Sequence, residues 1–115
     1  METNTRFEVE GKSYVLKYTM ERVNLYEDAH GSIGRLLYTG DVFLKFTELC
    51  DLMACAMKEE GGGYVNPQKA FEMAGNVIRE NGYYETLMAT FEQLKDDCGF
   101  LFMDFEMISQ NGIQT

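Results

Sequence analysis

Basic residues are scarce in this chain. Ten lysines and arginines stand against nineteen aspartates and glutamates, giving a formal net charge of −9. Nucleic-acid binders draw much of their affinity from neutralising phosphates with cationic side chains, so a field of this sign argues against DNA or RNA as a partner. It argues equally against anionic membrane surfaces. Histidine is rarer still. His30 stands alone, just before Gly31, where an expected helix C-terminus favours a cation and an exposed position is ordinary. Every Ser–His or Cys–His pair would have to run through it, and no neighbouring residue marks one. The three cysteines, Cys50, Cys55 and Cys98, are an odd set on apolar helical stretches, which suggests reduced core thiols rather than a disulfide framework. A five-residue spacing also points two helical side chains more than a quarter turn apart, a poor geometry for holding one metal ion. The glycine loops GSIG (31–34) and GGGY (61–64) match neither the GxxxxGKS/T phosphate loop nor a GxGxxG turn. Long apolar runs are missing: the windows around 52–57 and 99–103 are far too short to cross a bilayer. The opening METNTR lacks the basic start and apolar run of an export signal. These absences lead to the expectation of a non-enzymatic cytoplasmic protein with no catalytic residue, no metal and no cofactor.

What is present suffices for a folded domain. The chain has 115 residues, of which 45% are hydrophobic and 13% aromatic, enough for one real core. Residues 6–10 (RFEVE) alternate apolar and polar, and 13–18 (SYVLKY) place Tyr14, Leu16 and Tyr18 on one face. Joined at Gly11-Lys12, they predict a β-hairpin that must pack on helices or pair with another strand, since a lone hairpin is marginal in water. Thr19 is the expected N-cap of a helix over 20–30, with Met20, Val23, Leu25 and Tyr26 on its apolar side and Gly31 as its stop. A short helical stretch follows over 32–38. Asp41 then caps the most apolar helix, 42–59, where Val42, Phe46, Leu49, Met53 and Ala56 form the packed stripe. Phe43, Leu52 and Cys55 widen that stripe beyond the needs of one packed face.

Gly61-Gly62-Gly63 reads as a turn within one domain. Asn66-Pro67, an N-cap followed by proline at the first helical position, starts a helix over 67–81 that ends at Gly82. A last helix over 83–98 turns Tyr84, Leu87, Met88, Phe91 and Leu94 inward, with Gly99 beyond its end. Asp96 and Asp97 sit at that C-terminus against the helix macrodipole, an oddity the sequence does not explain. The tail FLFMDFEMI (100–108) fits an added strand, a final helical turn or a docked extended segment. The expected fold is α+β, mainly α: an N-terminal hairpin followed by four or five helices in one compact domain.

Eight methionines point to adaptable apolar surface, the kind used for reversible protein contacts. The candidate interaction residues are Phe43, Leu52, Phe100, Leu101, Phe102, Met103, Phe105 and Met107, because a small domain rarely leaves so much contiguous apolar surface unused.

The segment FEVEGKSYVLKYTMERVNLYEDAHG (7–31) resembles the start of tail assembly chaperones from long-tailed phages and prophages of Gram-positive bacteria. The matching residues are Gly11, Lys12, Tyr14, Leu16, Met20 to Glu27 and Gly31, and KEEGGGYVNPQKAFEMAGNVIRENGYYE (58–85) with its CGFLF continuation fits the same layout. The likeness extends over roughly residues 6–105. It implies a homo-oligomerising chaperone in the cytoplasm of the bacterial host. Such a chaperone covers the aggregation-prone tape measure protein and recruits tail tube protein to it. Two readings of other classes stay open: an acidic decoy that binds a host nucleic-acid-binding protein, and a structural head–tail adaptor.

Overall fold

Alternating side chains build the first element pair. In the computed structural model, which describes residues 6–37 and 44–101, β1 (Arg6–Val9) and β2 (Lys12–Leu16) form the expected antiparallel hairpin, with Phe7 opposite Tyr14 and Val9 opposite Lys12. Glu10 and Gly11 are the two turn residues, both at positive φ (52° and 82°). That is the type I′ geometry whose twist matches the flanking strands. The hairpin does not stand alone. β3 (Met57–Glu59) pairs antiparallel with β2, giving a three-stranded sheet in the order β1-β2-β3.

β3 corrects the expectation of one long helix over 42–59. The helix here, α3, runs only from Phe46 to Ala54, and residues 38–43 lie outside the described ones. Its end has a local cause. The Tyr18 hydroxyl and the Cys55 thiol both donate to the Leu52 carbonyl, at 2.7 and 3.2 Å, and the Ala56 carbonyl turns away to accept from the Lys17 N–H at 2.8 Å. The chain thus leaves the helix to continue the ladder of β2. Gly61-Gly62-Gly63 then reverses it: Gly61 has a φ of 77°, and Tyr64 forms a bridge back to Lys58.

Capping residues set the other boundaries. α1 (Met20–His30) begins where the Thr19 side chain accepts from the Arg22 N–H and ends at Gly31, whose φ is 93°. α2 (Ile33–Leu37) is tied to it by Glu27, which accepts from the Ile33 N–H at 3.0 Å. α4 (Pro67–Asn81) starts at Asn66, whose side chain accepts from the N–H groups of Gln68 and Lys69, and it stops at Gly82 with a φ of 96°. α5 (Tyr83–Asp97) follows at once. The described chain is therefore α+β and mainly α, as expected. One contiguous core joins Tyr14, Leu16 and Tyr18 of the sheet side to Leu49, Leu52 and Met53 of α3, Ala74 and Ile78 of α4 and Leu87 and Leu94 of α5.

Two aromatic and sulfur side chains expected inside are not. Tyr84 (60% exposed) and Met88 (42% exposed) face outward on α5, and on α1 Met20 and Leu25 do the same while Val23 and Tyr26 are buried. A helix at the edge of a small core can bury only a narrow stripe, and α5 fills its own with Thr86, Leu87, Thr90, Gln93 and Leu94.

Asp97 accounts for the anomaly at the end of α5. Its carboxylate is nearly enclosed and accepts three hydrogen bonds: from the Tyr18 backbone N–H at 2.8 Å, from Gln93 Nε2 at 3.1 Å and from Lys17 Nζ at 3.2 Å. Three donors outweigh the partial negative charge of the helix end, an effect of only about 0.3–1 kcal/mol at a surface position. The acid joins the last helix to the β2–α1 junction.

We expect Asp97→Ala to lower the unfolding free energy by about 2–4 kcal/mol, because it strands a buried N–H and removes a charge-assisted acceptor. Asp97→Asn, which keeps an acceptor, should cost less. Lys17→Ala should cost under about 1 kcal/mol, since its ammonium is largely in water. Chemical denaturation of the three variants checks that order. A second test concerns Thr90, which is fully buried and whose hydroxyl finds no hydrogen-bond partner among the described residues. Replacing an unpaired buried hydroxyl by a methyl of similar shape removes its desolvation cost, so Thr90→Val should raise stability by about 1 kcal/mol in the same assay.

Candidate functional site

The antiparallel packing of α3 against α4 decides which apolar groups reach the surface. α3 is almost entirely consumed by the core. Leu49, Cys50, Leu52 and Met53 are each fully enclosed. Leu52, expected to face a partner, is therefore a core residue, and the physical reason is its setting: α4 and α5 both pack on α3, and its carbonyl is the acceptor that ends the helix. Phe100 is half exposed (49%) just after α5, and Leu101 is half-buried against the core. Phe43, Phe102, Met103, Phe105 and Met107 lie outside the described residues.

The exposed apolar groups that remain are placed elsewhere. Phe46, at the first position of α3, is 43% exposed and lies over Gly75 of α4: a methyl added there would stand 3.7 Å from the Phe46 ring, in ordinary contact. Phe71, half-buried one turn earlier on α4, lines two adjoining hollows. One, of about 360 Å³, lies between Phe46, Cys50 and Gly75. The other, of about 390 Å³, lies between Leu25 and Ala29 of α1, Ala54 of α3 and Pro67 of α4. Phe71 lines both, so the two hollows meet at its side chain and make a divided trough along α4, open to α3 at one end and to α1 and α3 at the other. From Pro67 to Arg79 it spans about 18 Å at 1.5 Å per residue, or roughly three turns of a helix laid along it.

The rim of the trough is charged. Arg22 donates from Nε to the Cys55 carbonyl at 2.7 Å and covers the Tyr64 ring with its guanidinium 4.0 Å from the centroid. Asp51 stands 3.6 Å from His30 Nδ1, and the His30 ring rests on Tyr26 with centroids 4.9 Å apart. Burial pushes the Asp51 carboxyl up, against the lowering pull of His30. Glu48 and Asp51 face Lys45 and Arg35 around a neighbouring polar hollow of about 430 Å³. Among the described residues no group of three His, Cys, Asp or Glu side chains is placed to hold a metal ion. No helix among them is long and apolar enough to cross a membrane.

Sequence reasoning missed the trough because its parts fall on three elements. The helical period puts Leu25 on the inner side of α1 and Phe46 in the stripe of α3, and neither period points to Phe71. The available signal was an excess of large apolar residues over what one stripe per helix can bury. Comparison of the chain with protein-family models, curated proteins and solved structures returns no match.

The thiols carry a testable consequence. Burial pushes Cys55 up from 9.0 to about 12, with Arg22 pulling the other way, and it raises Cys50 and Cys98 as well. Burial likewise lifts Tyr26 from 10.0 to about 12. The folded state favours the neutral form of each, so the stability linked to these groups is complete below the unfolded values and is lost as pH rises through the folded ones. Thermal unfolding followed from pH 8 to pH 12 should show a midpoint that falls progressively above about pH 9. At pH 8 the native protein should react with a thiol reagent far more slowly than the urea-unfolded chain, because the thiolate is the reactive species.

Proposed function

We propose that this protein is a phage tail assembly chaperone. In this reading it works by binding rather than catalysis in the cytoplasm of the bacterial host, covers apolar helical surface of the tape measure protein and helps recruit tail tube protein. The observation that carries the reading is the trough along α3 and α4, with Leu25, Phe71 and Phe46 presented along its length. An amphipathic helix docks into a groove of this kind through apolar residues spaced by three and four, which is the surface a long helical assembly protein leaves open before its tube closes around it. The net charge of −9 supports the same reading, since it keeps a chaperone loaded with apolar cargo in solution. The likeness of residues 7–31 and 58–85 to tail assembly chaperones supplies the identity of the cargo. Self-association, which that likeness also implies, would draw on the outward-facing Met20, Tyr84, Met88 and Phe100.

The test is co-expression with a helical fragment of a tape measure protein from a long-tailed phage of Gram-positive bacteria. The fragment should move into the soluble fraction with the wild-type protein and co-purify with it. Leu25→Glu combined with Phe46→Glu should abolish that rescue while circular dichroism and the melting temperature stay close to wild type. Met20→Glu, which lies off the trough, should leave it intact. A tape measure fragment equally insoluble with and without the wild-type chain would remove the proposal.

A further inference from the structure

The outer edge of β1 borders a further cleft, which meets the hollow beside Phe46 at Asn76. In a two-residue hairpin the residues flanking the turn form a hydrogen-bonded pair, and pairs alternate from there. Val9 with Lys12 and Phe7 with Tyr14 are therefore the bonded pairs, and the N–H and C=O groups of Arg6 and Glu8 point away from β2. The opposite side of β2 obeys the same alternation, since the Ser13 carbonyl accepts from the Glu60 N–H at 2.9 Å. β3 has its free side covered by the bridge to Tyr64, but among the described residues no strand pairs with the outer edge of β1.

Beside that edge lies a cleft of about 490 Å³ between β1 and the C-terminal half of α4. Its floor is apolar, built from Phe7, Val9 and Val77. Its rim carries Glu8, Glu10 and Glu80. The one cation there, Arg6, is engaged by Glu60 across the sheet, and Glu8 accepts only a long hydrogen bond from the Ser13 hydroxyl at 3.4 Å. The C-terminal end of α4 adds the partial negative charge of its last carbonyls.

We propose that the β1 edge and this cleft bind an extended, alternating apolar and basic segment of another polypeptide, added as a fourth strand. The edge groups of Arg6 and Glu8 supply the backbone ladder. Apolar side chains of the added strand settle over Phe7, Val9 and Val77, and its lysines or arginines meet Glu8, Glu10 and Glu80. Strand addition takes its affinity from main-chain hydrogen bonds and its selectivity from alternate side chains. A second copy of this chain could pair the same edge with Arg6 opposite Glu8, but that brings the Glu10 and Glu80 carboxylates of two chains of net charge −9 together; slowed exchange at Arg6 and Glu8 in a dimer without peptide would overturn the assignment. This surface shares only Asn76 with the trough used in the proposed chaperone function, and the Leu25→Glu, Phe46→Glu protein, altered at no residue that lines the cleft, should retain it.

The experiment uses the full chain and three labelled eight-residue peptides: alternating valine and lysine, alternating valine and glutamate, and the valine–lysine peptide N-methylated at alternate residues. Fluorescence anisotropy should show saturable binding of the first alone. Amide exchange should slow at Arg6 and Glu8 in the complex. Glu8→Lys with Glu80→Lys should weaken binding at least tenfold. Failure of the valine–lysine peptide to bind, binding that survives N-methylation, or unchanged exchange at Arg6 and Glu8 would each overturn the assignment; the N-methylation arm decides it even if the double variant does not fold.

Discussion

The carboxylate of Asp97 is the constraint on which this fold turns. It takes the backbone N–H of Tyr18 at the point where the sheet hands over to the helices, and it sits at the last position of the last helix. Tyr18 in turn is buried and donates its hydroxyl to the carbonyl that ends α3. The Lys17 carbonyl, one residue earlier, accepts from the Tyr64 hydroxyl at 3.0 Å. Four segments distant in sequence are thus fastened at one junction: the β2–α1 link, the end of α3, the turn after β3 and the end of α5. In a domain of this size, whose net stability is on the order of 5–15 kcal/mol, one enclosed acid with three donors is a large share of what keeps these four segments in register.

That junction also decides where apolar surface is spent. By stopping α3 at Ala54 and returning the chain as β3, it turns Leu52, Met53 and Met57 wholly inward. The surplus moves to the outer flank of the α3–α4 seam, where Leu25, Phe46 and Phe71 line one trough. Contiguous exposed apolar surface is an aggregation hazard; here the exposed groups are spread over two hollows with charged side chains on their rims. The β1 side of α4 is arranged differently, with carboxylates around a strand edge that no described strand pairs with. Flanking charge at an edge is also what keeps sheets from pairing indiscriminately, so these glutamates restrict which strands can join it.

Much of this was legible in the sequence, wherever a residue type has one physical use. Thr19 before Met20, Gly31 after His30, Asn66 before Pro67 and Gly82 after Asn81 fixed the bounds of α1 and α4 to the residue. The hairpin was legible from its alternation and from Gly11. What stayed hidden depends on contacts between distant segments. Met57 continues the helical period of α3, and only the partner strand β2 makes it β3. Asp97 looked unfavourable because its three donors come partly from residues eighty positions away. Tyr84 and Met88 belong to the apolar period of α5, yet they lie off the one stripe that this helix buries. The candidate site shows the same division: of the candidate residues picked from the sequence, Phe100 is half exposed while Leu52 and Leu101 turn to the core, whereas the trough, assembled from α1, α3 and α4, has no continuous trace in the chain.

The central claim is that the α3–α4 trough receives an apolar helical face of the tape measure protein. Photo-crosslinking tests it most directly. A photoreactive residue placed at 46 or 25 should form adducts with the tape measure fragment, clustered on side chains three and four apart along one helical face, while the same probe at position 20 should form none. Adducts from position 20 alone, or from none of the three in a complex that still co-purifies, would contradict the account.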